Sequence, residues 1–314
     1  MRNSLDVAQH AEVLGYTRYW VAEHHNMTGN ASSATAVLVA YIAGGTKTIR
    51  VGSGGVMLPN HAPLVIAEQF GTLASIYPGR IELGLGRAPG TDPMTARALR
   101  RDLLGSDDRF PQDIRELQHY FGPIQEGQAV RAIPGADTEV PIWILGSSLY
   151  GAQLAAHFGL PYAFASHFAP EQLLDAMATY RELFKPSNKL AKPYCAFLMN
   201  VVAADTDEEA AHLFTTLQQN VIRMRRNTRG QLPPPIENLD DFCESHEKTT
   251  AAHALRCSAV GSMQTVRKEM QYWLDQTEAN EIIMTGQIYD HQARLRSFEI
   301  AAEAAKGLRF NSKV

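Results

Sequence analysis

The chain has 314 residues, 29 Lys plus Arg against 33 Asp plus Glu for a net charge of −4, and is 45% hydrophobic and 20% charged. This size and composition fit two domains or one large α/β barrel, and exclude a chain disordered over most of its length. With no excess of positive charge a nucleic-acid partner is not expected, and no window of about 18 apolar residues is available to span a membrane.

Residues Leu5 to Leu14 place apolar side chains at helical spacing and stop at Gly15, while Tyr16 to Ala22 is aromatic and β-branched and reads as a buried strand. The pattern repeats. Ala34 to Ala43 is predicted helical, Ile49 to Val56 a strand, Ala62 to Ile76 a helix, Ile81 to Leu85 a strand, and Ala96 to Leu104 and Asp113 to Phe121 helices. Gln125 to Asp137, rich in Gly and Pro, reads as a loop or small hairpin. The strand Pro141 to Leu145 leads to helix Leu149 to Phe158, strand Tyr162 to Ala165, helix Glu171 to Phe184 and strand Cys195 to Ala203. From Asp205 to Glu247 the rhythm breaks: a charged helix precedes Arg223, Arg225, Arg226 and Arg229, and Pro233-Pro234-Pro235 cannot continue a helix. This stretch is expected to be an excursion at the mouth of the fold. Helix Gln264 to Gln276, strand Glu281 to Met284 and helix His291 to Lys306 complete about seven strands, each followed by a helix. That alternation implies a parallel sheet, and a single TIM (β/α)8 barrel over 1–314 is favoured over an open doubly wound sheet.

In such a barrel the strand ends face one mouth, and polar or Gly-rich residues gather there: Glu23-His24-His25, Ser53-Gly54-Gly55, Gly86-Arg87, Gly146-Ser147-Ser148, Ser166-His167 and Thr285-Gly286-Gln287. Gly84 to Gly90 fails as a dinucleotide fingerprint, because its third glycine falls one place late and Pro89 and Pro93 interrupt the helix start. Arg87 still offers a fixed fork of donors to a phosphate or carboxylate, against the plainer alternative of a surface arginine. Ser147-Ser148 before an apolar helix makes an anion cradle, against the plainer alternative of a serine cap. Gly54-Gly55 inside a buried strand implies a bulge or the close approach of a flat ligand to the backbone. His24-His25 after Glu23 is not H-E-x-x-H, and neighbouring residues at a strand tip point to opposite sides, so at most one faces the mouth. No metal site is expected: no three ligand residues stand out, and Cys195, Cys243 and Cys257 are odd in number without C-x-x-C spacing, which fits a reducing cytoplasm.

The runs Tyr19-Trp20-Val21-Ala22-Glu23-His24-His25, Val51-Gly52-Ser53-Gly54-Gly55-Val56-Met57-Leu58-Pro59, Gly79-Arg80-Ile81-Glu82-Leu83-Gly84-Leu85-Gly86-Arg87 and Gly146-Ser147-Ser148 strongly resemble the bacterial luciferase-like flavin monooxygenase family. The resemblance extends from about residue 3 to 306, through Val260-Gly261-Ser262, and includes a branch that shares Gly286-Gln287-Ile288 and Asp290 to Leu295. It implies a TIM barrel of the bacterial luciferase type with an insertion after the seventh strand, at about 205–247. Family members open with a strand before the first helix. Met1 falls directly at that helix, so the first strand is expected to be missing from this chain.

The resemblance further implies that reduced FMN, supplied by a separate flavin reductase, reacts with O2 to a C4a-hydroperoxide that oxidises a small, apolar organic substrate. Arg87 and the Gly146-Ser147-Ser148 turn, with Tyr150 nearby, would hold the FMN phosphate. Ser53 and Gly54-Gly55, the latter a non-proline cis peptide, would lie behind the flavin ring, Gly86 near its reactive edge, and His24 would be the catalytic proton-transfer group. His61 sits one position from the family's usual histidine and receives no role. A homodimer through helices Ala34 to Ala43 and Ala62 to Ile76 is expected. A deazaflavin-dependent dehydrogenase and a flavin-binding barrel without turnover are the alternatives.

Overall fold

A computed structural model describes residues 1–99, 106–228 and 230–310, and of 106–108 the backbone alone. The predicted helix end at Leu104 and the expected Arg229 lie outside the described residues. The chain resolves into two compact units, Met1–Leu145 and Gly146–Val314.

The first unit contains α1 (Arg2–Val13), β1 (Arg18–Val21), α2 (Thr35–Gly45), β2 (Arg50–Met57), α3 (Pro63–Ile76), β3 (Ile81–Gly86), α4 (Pro93–Leu99), α5 (Ser106–Phe121) and β4 (Ile142–Gly146), whose last residue opens the second unit. The four strands pair in chain order and all in parallel. α1 buries Val7, Ala8 and Ala11 on one stripe and ends before Gly15, whose φ of +82° suits a residue without a Cβ. Glu12, in the last turn of α1, accepts the backbone N–H groups of Lys47, Thr48 and Ile49, which ties α1 to the start of β2. Every residue of β3 is buried. At the entrance of the sheet the buried Glu82 accepts from Arg18 Nη1 and from Trp20 Nε1 at 2.9 Å, and Arg18 also lies 4.6 Å from the centre of the Trp143 ring. A carboxylate removed from water requires such partners.

The second unit contains α6 (Leu149–Phe158), β5 (Tyr162–Phe164), α7 (Leu173–Leu183), β6 (Cys195–Ala203), α8 (Asp207–Arg225), α9 (Ser245–Ala254), β7 (Ser258–Gly261), α10 (Met263–Thr277), β8 (Glu281–Thr285) and α11 (His291–Ala305). β6 is its central strand and pairs in parallel with β5, β7 and β8. All nine of its residues are buried, which accounts for the unbroken apolar run read there. The polar exception, Asn200, donates to the His167 carbonyl at 2.6 Å and accepts from Thr285 Oγ1 at 3.0 Å, so its burial leaves no amide atom unpaired.

One expectation is corrected. The described residues hold eight strands rather than about seven: β7 is a four-residue Ser-Ala-Val-Gly segment, too short and too weakly β-branched to signal itself before it pairs with the end of β6. Leu217, Val221, Ile222 and Leu239 pack with Ala251, Ala254 and Leu255 in a satellite core, so α9 belongs with the segment before it. No helix among the described residues is long and apolar enough to cross a membrane.

Candidate functional site

In the first unit the parallel order of β1, β2 and β3 brings their C-terminal ends to one edge, and the loops that leave them are tied together. His24 lies just past β1, with Nδ1 at 3.2 Å from the carbonyl oxygen of Gly90 in the loop after β3. A carbonyl can only accept, so Nδ1 carries a proton, and in the neutral imidazole the lone pair is on Nε2. Thr91 Oγ1 donates to the His25 carbonyl at 3.0 Å, and Asn60 Nδ2 donates to the Pro89 carbonyl at 2.9 Å. Gly90 has a φ of +63°, and an added Cβ there would stand 3.0 Å from the Glu23 carbonyl oxygen. The loop therefore approaches the His24 turn as closely as it does because this residue is glycine.

His24 and His25 diverge, as their placement at a strand tip predicts. His25 Nε2 and His61 Nε2 both reach Oε1 of Glu23, at 2.9 and 2.8 Å, while the Met57 N–H donates to Oε2. Glu23 is 1% exposed. Burial alone would push its carboxyl up, but the hydrogen bonds and charge of His61 and His25 outweigh it and hold the group below the ordinary carboxylate range.

Gly54-Gly55 is a non-proline cis peptide, as the resemblance implies, and it sits at the bulge also read from the sequence: pairing passes from Ser53 opposite Leu83 to Val56 opposite Leu85. An added Cβ on Gly55 would stand 2.7 Å from the Gly84 carbonyl oxygen, and one on Gly54 3.0 Å from the Trp20 ring. The Ser53 hydroxyl is fully buried and donates to the Gly84 carbonyl at 2.8 Å, so it serves the β2–β3 pairing. Gly86 ends β3 against Met57, whose Sδ would lie 3.0 Å from an added Cβ, and Arg87 is exposed just beyond it.

In the second unit, Gly146 ends β4, and an added Cβ there would stand 3.4 Å from Gly151 Cα in the first turn of α6. Ser148 is the residue preceding α6, yet its side chain does not cap the helix, and neither serine hydroxyl of Ser147-Ser148 has a hydrogen-bond partner among the described residues. A plain serine cap is thus not what the turn provides. Leu149 N–H is held by Gln172 Oε1 at 3.3 Å, whereas the hydroxyls stand half-buried at the positive end of a ten-residue helix. Tyr150 follows on the same first turn, half-buried.

Sequence reasoning singled out His24 but not the partners that orient it and its neighbours. Gly90 acts through its carbonyl, which has no residue-type signature. The meeting of Glu23 with His61 spans 38 positions, and only the pairing of β1 with β2 brings them together.

Residues 1–280 match the family model described as luciferase-like monooxygenase. A luciferase-like monooxygenase of Escherichia coli (strain K12) is 55% identical over 306 residues, 98% of this chain and 91% of that protein. N-acetyl-S-alkylcysteine monooxygenase of Bacillus subtilis (strain 168) is 30% identical over 97% of this chain and 92% of its own length. Among solved structures, apo-MsnO8 superposes with a TM-score of 0.86 at 34% identity, covering 99% of this chain and 93% of that one. The oxygenating constituent of 3,6-diketocamphane monooxygenase from Pseudomonas putida, in complex with FMN, gives 0.71 at 18% identity, with 98% and 93% covered. An F420-dependent secondary alcohol dehydrogenase also gives 0.71, at 15% identity with 96% and 93% covered, a likeness of fold alone.

Proposed function

We propose an FMN-dependent monooxygenase reaction for this chain, which belongs to the luciferase-like monooxygenase family and shares its TIM-barrel fold class. Reduced FMN would supply the activation of O2 for transfer of one oxygen atom to a small, apolar organic substrate. The observation that carries the proposal is the placement of His24 within this family frame: a histidine at a strand tip whose tautomer is fixed by the Gly90 carbonyl, with Nε2 left to accept and return a proton.

The residues fit the cofactor in each unit taken by itself. In the second, the hydroxyls of Ser147 and Ser148 at the N-terminus of α6, without partners among the described residues, together with Gly146 and Tyr150 suit a phosphate. In the first, Arg87 supplies a charged donor, and Gly54-Gly55 and Gly86 offer backbone without side chains to a flat ring, with Ser53 fixing that strand through Gly84. His24 moves the proton at Nε2. Because Gly84 to Gly90 lacks the dinucleotide spacing, a separate flavin reductase is proposed to deliver the reduced cofactor. A homodimer through α2 and α3 is supported by Val37 and Ile76, 70% and 58% exposed, with Tyr41 and Val65 also exposed on those helices.

The test is product analysis with isotopically labelled O2, with a reductase-coupled FMN supply or with the reduced or oxidised deazaflavin, over a panel of alkyl thioethers, ketones, aldehydes and secondary alcohols. One labelled oxygen atom in a product, and none in a reaction with the deazaflavin cofactor, is expected. Oxidation of an alcohol with the deazaflavin and no label incorporated would replace this function with a dehydrogenase.

A further inference from the structure

We propose that Glu23, His25 and His61 form a binding site for a divalent transition-metal ion of the zinc type. Their three ligand atoms, Oε1 and two Nε2, lie within 4.8 Å of one another. Both nitrogens already converge on the one oxygen, at 2.9 and 2.8 Å. Two imidazoles and one carboxylate are a donor set that zinc takes in tetrahedral sites, with bonds of about 2.0–2.2 Å and therefore roughly 3.3 Å between ligand atoms. To admit the ion each histidine nitrogen would draw back from Oε1 by about half an ångström, and the two nitrogens, within 4.8 Å of each other, would settle at roughly 3.3 Å.

The surroundings favour it. Glu23 is 1% exposed, so its negative charge lies out of water and calls for positive charge beside it. The Met57 N–H on Oε2 orients the carboxylate from behind, as a supporting shell does at metal sites. The side chains of His25 and His61 are 13% and 27% exposed, which leaves a solvent side for entry and for a water as fourth ligand. A neutral histidine that now donates Nε2–H would bind by moving that proton to Nδ1, and a charged one by releasing it, so metal competes with protons for the site. His25 and Glu23 flank His24 in the turn after β1, and His61 follows β2. The ion would staple these two segments and hold the turn on which His24 rides.

The experiment is calorimetric titration of the chelator-stripped chain with Zn2+ at neutral pH, for the wild type and for the His25→Ala, His61→Ala and Glu23→Gln variants, with His119→Ala as a control. One ion per chain is expected, with affinity falling by more than about 100-fold on loss of either His25 or His61, beyond the cost of losing an outer-shell partner. The control should bind as the wild type does. Because a variant of this buried cluster can fail to fold, C2-hydrogen exchange of the wild-type histidines is read by mass spectrometry with and without Zn2+. Slower exchange at His25 and His61 and unchanged exchange at His119 are expected. Absence of saturable binding, wild-type affinity in folded His25 and His61 variants, or unchanged exchange at both with zinc bound would each overturn the site.

Discussion

At the scale of single residues, His24 and Glu23 sit side by side and do different work. The His24 ring is held through Nδ1 by a backbone carbonyl and packs no core, so His24→Ala should leave FMN affinity and folding near the wild-type level. Turnover should fall by about 10²- to 10⁴-fold, the usual share of a positioned proton-transfer group. Steady-state rates beside a flavin-binding titration check this, and an unchanged rate would take the proton transfer elsewhere. His24 was legible from its place at a strand tip and from the run around it. The convergence of Glu23, His25 and His61 was not, since neither the two-residue step nor the 38-residue separation matches a helical ligand spacing. At Ser148 residue type and place alone leave an anion cradle and a helix cap both open, and the geometry sets aside the cap, since the hydroxyl does not bond to α6.

At the scale of elements, Glu12 links α1 to β2. Burial would push its carboxyl up, but the N–H groups of Ile49, Thr48 and Lys47 bring it down to about 2 from 4.5. The lowered value means the folded chain resists protonation longer than the unfolded one. Its stabilisation is full above pH 4.5 and is lost as pH falls towards 2. The melting temperature of Glu12→Gln should therefore lie below wild type by about 2–4 °C at neutral pH, and the two curves should converge on acidification through that window. A constant gap down to pH 2 would contradict it. Helices and strands with strong periodicity, such as α3 and the fully buried β6, were readable because burial on one stripe or on both faces writes itself into residue type. β7 and α9 were not. Four small residues gain their strand from β6, and α9, rich in Ser, Thr and His, is fixed by its Glu244–Glu247 capping box and by the satellite core instead.

At the scale of the whole molecule, the alternation of strands and helices set the fold class before any coordinate, because a parallel sheet needs a crossover between each pair of strands. Apolar residues left in water on α2 and α3 carry the expectation of a homodimer. Sedimentation at micromolar concentration should give twice the mass of the 34.6 kDa chain, and a monomer boundary would refute it. The proposed monooxygenase reaction requires that this chain bind reduced FMN and commit it to oxygen chemistry. The most direct measurement is an anaerobic titration with reduced FMN, riboflavin and the deazaflavin cofactor, followed by rapid mixing with air and a record of flavin absorbance. Saturable binding of reduced FMN, stronger than that of riboflavin, and reoxidation through a long-lived species distinct from free reduced and oxidised flavin are predicted. Preference for the deazaflavin, or reoxidation of bound FMN at the rate of free flavin, would contradict the monooxygenase.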